Sequence, residues 1–285
     1  MTLRFTEKTF ISARATFLEG RTVLLGCPFD GTASFRPGAR FGPEALRNAS
    51  WGIETYSSYQ DTDLERLAVH DMGDLELPLG EKRIALRSIR NGIRRILARG
   101  KFPILLGGEH LISLPAVEEV LTRYPGLHVV HFDAHTDLRE DYLGETLSHS
   151  TVMRKLLGPL GEGRLSQIGI RSGTEAEFSL AKRIKSIVPP GHAAVKALAK
   201  RLRNRPVYVS LDLDVIDPGF LPGVGTPEPG GLSFRELLDL LIELRGLSIV
   251  GFDLVELTPD YDPTGVSAVT ASVLLREMLL AYAPR

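Results

Sequence analysis

The segment Asp133-Ala134-His135-Thr136-Asp137 carries three metal-ligating residue types at alternating positions. In an extended chain, residues i, i+2 and i+4 face the same way, so Asp133, His135 and Asp137 can converge on one point. Asp212 and Asp214 repeat the spacing, and His110 follows the pair Gly107-Gly108. The donors are carboxylate oxygen and imidazole, without sulfur, a set that suits Mn²⁺ and also Co²⁺, Ni²⁺ or Zn²⁺. Buried together, the carboxylates of Asp133, Asp137, Asp212 and Asp214 cannot all stay ionised without counter-charge. Two divalent cations balance them, and such a pair brings the pKa of a shared water to about 7. Each piece alone has a plainer reading: the Asp-x-Asp pair as a loop cap, His110 as structural, the glycines as a turn. Ligands at period two on two strands, with His110 at a third, predict instead a metal centre that activates water.

Ligands of this kind need rigid supports. Apolar runs predict strands over Arg21–Gly26, Phe102–Leu106, Leu127–Phe132, Leu165–Ile170, Val207–Leu213 and Leu247–Leu254. Helical spacing of apolar residues predicts helices over Arg83–Leu97, Leu111–Arg123, His192–Leu202, Ser233–Leu244 and Ser267–Tyr282. This alternation predicts an α/β fold, a single-domain three-layer α/β/α unit over 1–285 with a mainly parallel sheet. Sites in such sheets form beyond the carboxyl ends of the strands, where the candidate ligands fall. The stretch from Asp217 to Gly231 reads as a shaped loop beside the site.

The chain has 285 residues and a formal net charge of -1, which gives no reason to expect a nucleic-acid partner. A single cysteine, Cys27, excludes an intrachain disulfide and a thiolate metal site, and fits the cytoplasm. No long apolar run predicts a membrane span, and the first residues, Met1–Glu7, lack the apolar segment of a leader.

The sequence resembles the ureohydrolase (arginase/agmatinase) family. The resemblance rests on Gly107-Gly108-Glu109-His110, His131 to Asp137, Ser210 to Pro218, Pro222 to Glu228 and Gly251 to Leu257. Phe35 to Pro43 resembles the agmatinase branch. The resemblance implies an arginase-like fold, two Mn²⁺ per chain and a trimeric or hexameric homo-oligomer. It implies that His110, Asp133, Asp137 and Asp212 hold one ion, and that Asp133, His135, Asp212 and Asp214 hold the other. It also implies catalytic roles for Asp137, for Glu256 as the partner of a guanidinium and for His149 as a proton shuttle. The implied reaction is hydrolysis of a small cationic guanidino compound to urea and an amine.

The substrate expectation rests on the loop after this motif. Glu140, Asp141 and Glu145 outnumber Arg139 there, which predicts attraction of a distal amine and repulsion of a carboxylate. Agmatine (giving putrescine) and N1-aminopropylagmatine (giving spermidine) both fit, as steps of polyamine biosynthesis. Arginine, guanidinobutyrate and guanidine stay within the family's range. Many agmatinases carry Gly after the shuttle histidine; here it is Ser150, which with Met153 is placed to shape the pocket mouth. Two rival classes are a two-metal phosphoesterase, which needs a cationic phosphate cradle, and a non-catalytic metal-binding protein.

Overall fold

The structure is a computed structural model that describes residues 8–285 except Leu79, so the Met1–Glu7 stretch lies outside the described residues. β1 (Thr22–Cys27) leads through α1 (Gly42–Ser50) and a small hairpin, β2 (Tyr56–Ser57) with β3 (Thr62–Asp63), to β4 (Val69–Asp74). From there strands and helices alternate: α2 (Lys82–Leu97), β5 (Phe102–Gly107), α3 (Ser113–Arg123), β6 (His128–Phe132), α4 (Val152–Leu160) and β7 (Leu165–Ile168). The remainder is α5 (Glu175–Ile184), β8 (Ile187–Val188), α6 (His192–Leu202), β9 (Pro206–Asp212), α7 (Phe234–Glu243), β10 (Ser248–Val255) and α8 (Val266–Tyr282).

Eight strands form one sheet in the order β4-β1-β5-β10-β9-β6-β7-β8, and every neighbouring pair is parallel. Alternate side chains of each central strand enter two separate cores. Leu24, Ile104, Val130, Val209 and Phe252 pack with α1, α6, α7 and α8 on one face. Val23, Leu25, Leu105, Val129 and Tyr208 pack with α2, α3, α4 and α5 on the other. The three layers follow from strands that are apolar on both sides.

The two strands of this sheet that the apolar runs did not predict, β4 and β8, are its edges. An edge strand is covered less completely and needs no continuous apolar run. In β4, Asp71 and Asp74 instead pair with the buried Arg47 of α1. The helices α1, α4 and α5 also escaped the sequence reading. α1 opens on Gly42-Pro43 and α4 holds Pro159. α5 is set by a capping box in which Thr174 and Glu177 exchange bonds. No described helix is long and apolar enough to cross a membrane.

The chain runs outward from β5 to β6, β7 and β8, then returns to insert β9 and β10 between β6 and β5. This places the carboxyl ends of β5, β10, β9 and β6 side by side. Phe132 pairs with Leu211, and Val255 with Asp212, so the residues that follow leave the sheet at one level.

Candidate active site

The predicted ligands meet at that level. His110 follows β5 on a short turn and is buried. Its Nδ1 lies 3.1 Å from Asp133 Oδ2, 3.2 Å from Asp137 Oδ2 and 3.2 Å from Asp212 Oδ2. That nitrogen makes no hydrogen bond, although it is fully enclosed. Donor atoms bound at right angles to an ion at about 2.1 Å stand about 3 Å apart, so the spacing is that of a coordination sphere. Beside it, His135 Nδ1 lies 2.8 Å from Asp214 Oδ2 and 3.5 Å from Asp133 Oδ1. Asp133 faces both groups.

Neighbouring groups settle which nitrogen is available. His110 Nε2 donates to Ser210 Oγ at 2.9 Å, and Ser210 donates to Asp253 Oδ1 at 2.7 Å. The proton therefore sits on Nε2 and the lone pair on Nδ1 faces the carboxylates. His131 also touches this cluster. Its Nδ1 accepts from Gln167 Nε2 and its Nε2 donates to Asp133 Oδ2 at 2.7 Å, so it orients a ligand and has no free lone pair. Sequence reading passed over His131 and Ser210. Each stands two residues before a candidate ligand, Asp133 and Asp212, on the same face of its strand.

The electrostatics agree with a cation site. Burial works against a charged His110, but Asp133, Asp137 and Asp212 outweigh it and raise its pKa well above the usual range. Burial likewise opposes charge on His135, which Asp214 and Asp133 push up to about 12. Asp212 is raised strongly by burial, then by Asp214 and Asp133, and Asp214 is raised by burial and Asp133. At Asp133 burial is overridden by His131 and by bonds from three histidines, and the pKa falls. Protons crowd onto His110, His135, Asp212 and Asp214 because the cluster calls for positive charge. Divalent cations supply it.

Local backbone geometry is bent to fit. The extended pattern assumed for Asp133 to Asp137 breaks at its end: Asp137 has φ 51°, and Glu256 has φ 68°. Left-handed conformations cost roughly 1–2 kcal/mol in non-glycine residues, and such outliers gather at functional sites. Glu177 Oε1 holds the Asp137 turn by accepting from Thr136 Oγ1 at 2.6 Å and Leu138 N at 3.2 Å. Glu256 donates its N–H to Gly108 O and accepts the His110 N–H at Oε1, 2.8 Å away. At Gly108 a Cβ would lie 2.3 Å from Phe29 O and 2.5 Å from Cys27 O, so the glycine pair permits a close backbone approach. Arg171, also unnoticed in the sequence, spends its guanidinium on backbone carbonyls, among them Asp214 O and Glu228 O at 2.7 Å. It thereby fixes the loop from Asp217 to Gly231, whose Thr226 reaches the site.

His110, His135, Asp137, Asp212 and Asp214 line a cavity of about 240 Å³ with His149, Glu256, Ser34, Arg139 and Tyr142. Ser150 lines it too, whereas Met153 is buried in the core. The expectation for Glu140, Asp141 and Glu145 is corrected here: none of the three lines the cavity. Glu140 is exposed and lies 3.8 Å from Arg154, Asp141 Oδ1 accepts the Gly144 N–H, and Glu145 pairs with Lys82. The loop turns Arg139 inward instead. Its guanidinium lies 4.9 Å from the Tyr142 ring centre, and its Nε is 3.6 Å from Glu177 Oε2. Carboxylates spread through a loop carry no period that fixes which of them face inward. Trp51, Tyr56 and Tyr59 are exposed and do not line the cavity, and Cys27 is buried.

A family profile described as the Arginase family matches residues 21–281. An agmatinase of Bacillus anthracis is 43% identical over 292 residues, covering 98% of this chain and 99% of the relative. A human mitochondrial guanidino acid hydrolase is 35% identical over 274 residues, 90% of this chain and 77% of the relative. The solved agmatine ureohydrolase of Thermoplasma volcanium superposes with a TM-score of 0.88 at 33% identity, covering 97% of this chain and 94% of that one. With the buried His and Asp cluster at the carboxyl ends of a parallel sheet, these matches establish that the chain belongs to the arginase family.

Proposed function

We propose that this chain is an agmatinase, hydrolysing agmatine to putrescine and urea with two Mn²⁺ ions held by His110, Asp133, His135, Asp137, Asp212 and Asp214. The observation that carries the reading is the enclosed, unbonded His110 Nδ1 ringed by three carboxylate oxygens in the cavity that Glu256 and His149 also line. When bound, a divalent pair would supply a hydroxide nucleophile near neutral pH. Glu256 Oε1 is occupied by the His110 N–H, which leaves Oε2 to receive the substrate guanidinium. Burial first, and Glu109 next, raise the pKa of Glu256, and a guanidinium beside it favours the carboxylate. Asp137 orients the attacking nucleophile, and His149 delivers a proton to the departing amine. The reading takes 1–285 as one ureohydrolase domain in a cytoplasmic homotrimer or hexamer, where an interface would cover exposed Phe35, Phe220 and Val266.

A second reading has one specific observation behind it. Arg139 is a cation at the cavity wall, which favours a carboxylate-tailed guanidino acid over an amine tail. The test is urea release from agmatine, aminopropylagmatine, arginine, guanidinobutyrate and guanidine, with Mn²⁺ loaded and then chelated. Metal-dependent release from agmatine above the others is the expected result. Preference for guanidinobutyrate would transfer the assignment to the guanidino acid. Two bound metals with no urea from any substrate would sink the reading.

A further inference from the structure

We infer that Thr32, clamped by the buried carboxylate of Glu109, fixes the tautomer and ring orientation of His149 and so acts as a positioning residue for proton delivery. The inference rests on the shuttle role given to His149 above. It adds the device that decides which ring nitrogen carries the shuttled proton.

Glu109 is enclosed, with 1% exposure, and its carboxylate bonds Thr32. Its N–H donates to Phe29 O at 2.7 Å, which ties the end of β5 to the loop after β1. Its carboxylate accepts two groups of one residue: the Thr32 N–H at 3.0 Å and the Thr32 hydroxyl at 2.5 Å. A hydroxyl has a single hydrogen, and here it is committed to Glu109. Toward His149, Thr32 Oγ1 is left as an acceptor. It receives the His149 backbone N–H at 3.1 Å and lies 3.4 Å from His149 Nδ1. Nδ1 therefore carries hydrogen at rest, and the free lone pair is on Nε2. Ser34 Oγ stands 3.3 Å from Nε2 and is exposed enough to meet water, so it relays the proton that Nε2 takes up and gives away. The Tyr142 ring, edge-on with centroids 5.9 Å apart, limits rotation of the imidazole from the other side.

The arrangement has a direction. The 2.5 Å separation from Glu109 is that of a hydroxyl donating to a carboxylate and is far shorter than the 3.4 Å to Nδ1; with its hydrogen spent there, Thr32 accepts from the ring, and the ring presents Nε2 to the substrate. Replacing the Thr32 hydroxyl with a methyl removes the constraint while preserving shape, and Thr32→Ser restores it.

The experiment compares wild type, Thr32→Val and Thr32→Ser. One readout is the long-range ¹⁵N–¹H spectrum of the metal-free protein, with His149 assigned through His149→Asn. The other is steady-state urea release from agmatine with Mn²⁺ loaded. The wild type and Thr32→Ser are expected to show the Nδ1–H tautomer at His149, and Thr32→Val a mixture or the Nε2–H form. Thr32→Val is expected to lose roughly 10–100-fold in kcat with KM within about threefold, and Thr32→Ser to recover most of it. An Nε2–H tautomer in the wild type, or an unchanged spectrum and kcat in Thr32→Val, would overturn the inference. If the wild type releases no urea from agmatine, the functional reading fails, and the spectrum alone still decides the tautomer.

Discussion

Ser210→Ala tests whether metal affinity depends on the bond behind His110. Ser210 Oγ is the acceptor for His110 Nε2 and the donor to Asp253 Oδ1, and all three residues are buried. Removing the hydroxyl leaves the enclosed Nε2–H without a partner, which costs about 1–3 kcal/mol. The ring escapes part of that cost by moving its proton to Nδ1, where it competes with the ion. The loss therefore falls on metal binding, and a 10–100-fold weakening is expected, as for other bonds that orient a ligand. At a Mn²⁺ concentration about 100 times the wild-type Kd, the metal stabilises the fold by about 2.7 kcal/mol. A 30-fold weaker site retains about 0.9 kcal/mol under the same conditions. The difference of about 1.8 kcal/mol corresponds to a loss of roughly 3 °C in metal-induced Tm shift for a chain of this size. Calorimetric Mn²⁺ titration gives the affinity directly, and melting with and without chelator separates it from any change in the metal-free fold. Affinity within twofold of wild type, with an unchanged metal-induced shift, would refute the reasoning that Ser210 sets the lone pair of His110.

Arg139→Ala should shift the ratio of kcat/KM for agmatine over guanidinobutyrate upward by roughly fivefold, since one cation at a half-open cavity wall is worth about 1 kcal/mol. Competition kinetics with both substrates measure it, and an unchanged ratio would show that Arg139 does not meet the substrate tail. A second expectation concerns acid stability. His128 is buried at the start of β6 with Nδ1 unpartnered, and burial first, then Arg201, Arg205 and Arg164, lower its pKa from 6.5 to about 4. The unfolded chain binds this proton first, so stability is present above pH 6.5 and is lost as pH falls toward 4, by about 3 kcal/mol. Urea unfolding at pH 7 and pH 4.5 should show His128→Met losing less stability than wild type across that interval, and equal losses would contradict the assignment.

The chemistry was legible in the sequence because metal ligation constrains residue type and local spacing together. Asp133 with His135, and Asp212 with Asp214, announce themselves within a few residues of an apolar strand, and strand ends are where sites form in parallel sheets. The layered fold was legible for a related reason: β1, β5, β6, β9 and β10 are largely buried on both faces and are therefore mostly apolar. The edge strands β4 and β8 face weaker demands and left no such trace. What the tertiary structure alone decided is direction. It placed Arg139 inward and Glu140, Asp141 and Glu145 outward, because a loop has no period and its side chains follow their partners, here Tyr142 and Glu177 on one side and Arg154 and Lys82 on the other. It also brought Thr32, Glu109 and His149 together from three separate segments. Those contacts span 77 and 117 residues of chain, and local sequence carries no signal for a hydrogen bond that only folding closes.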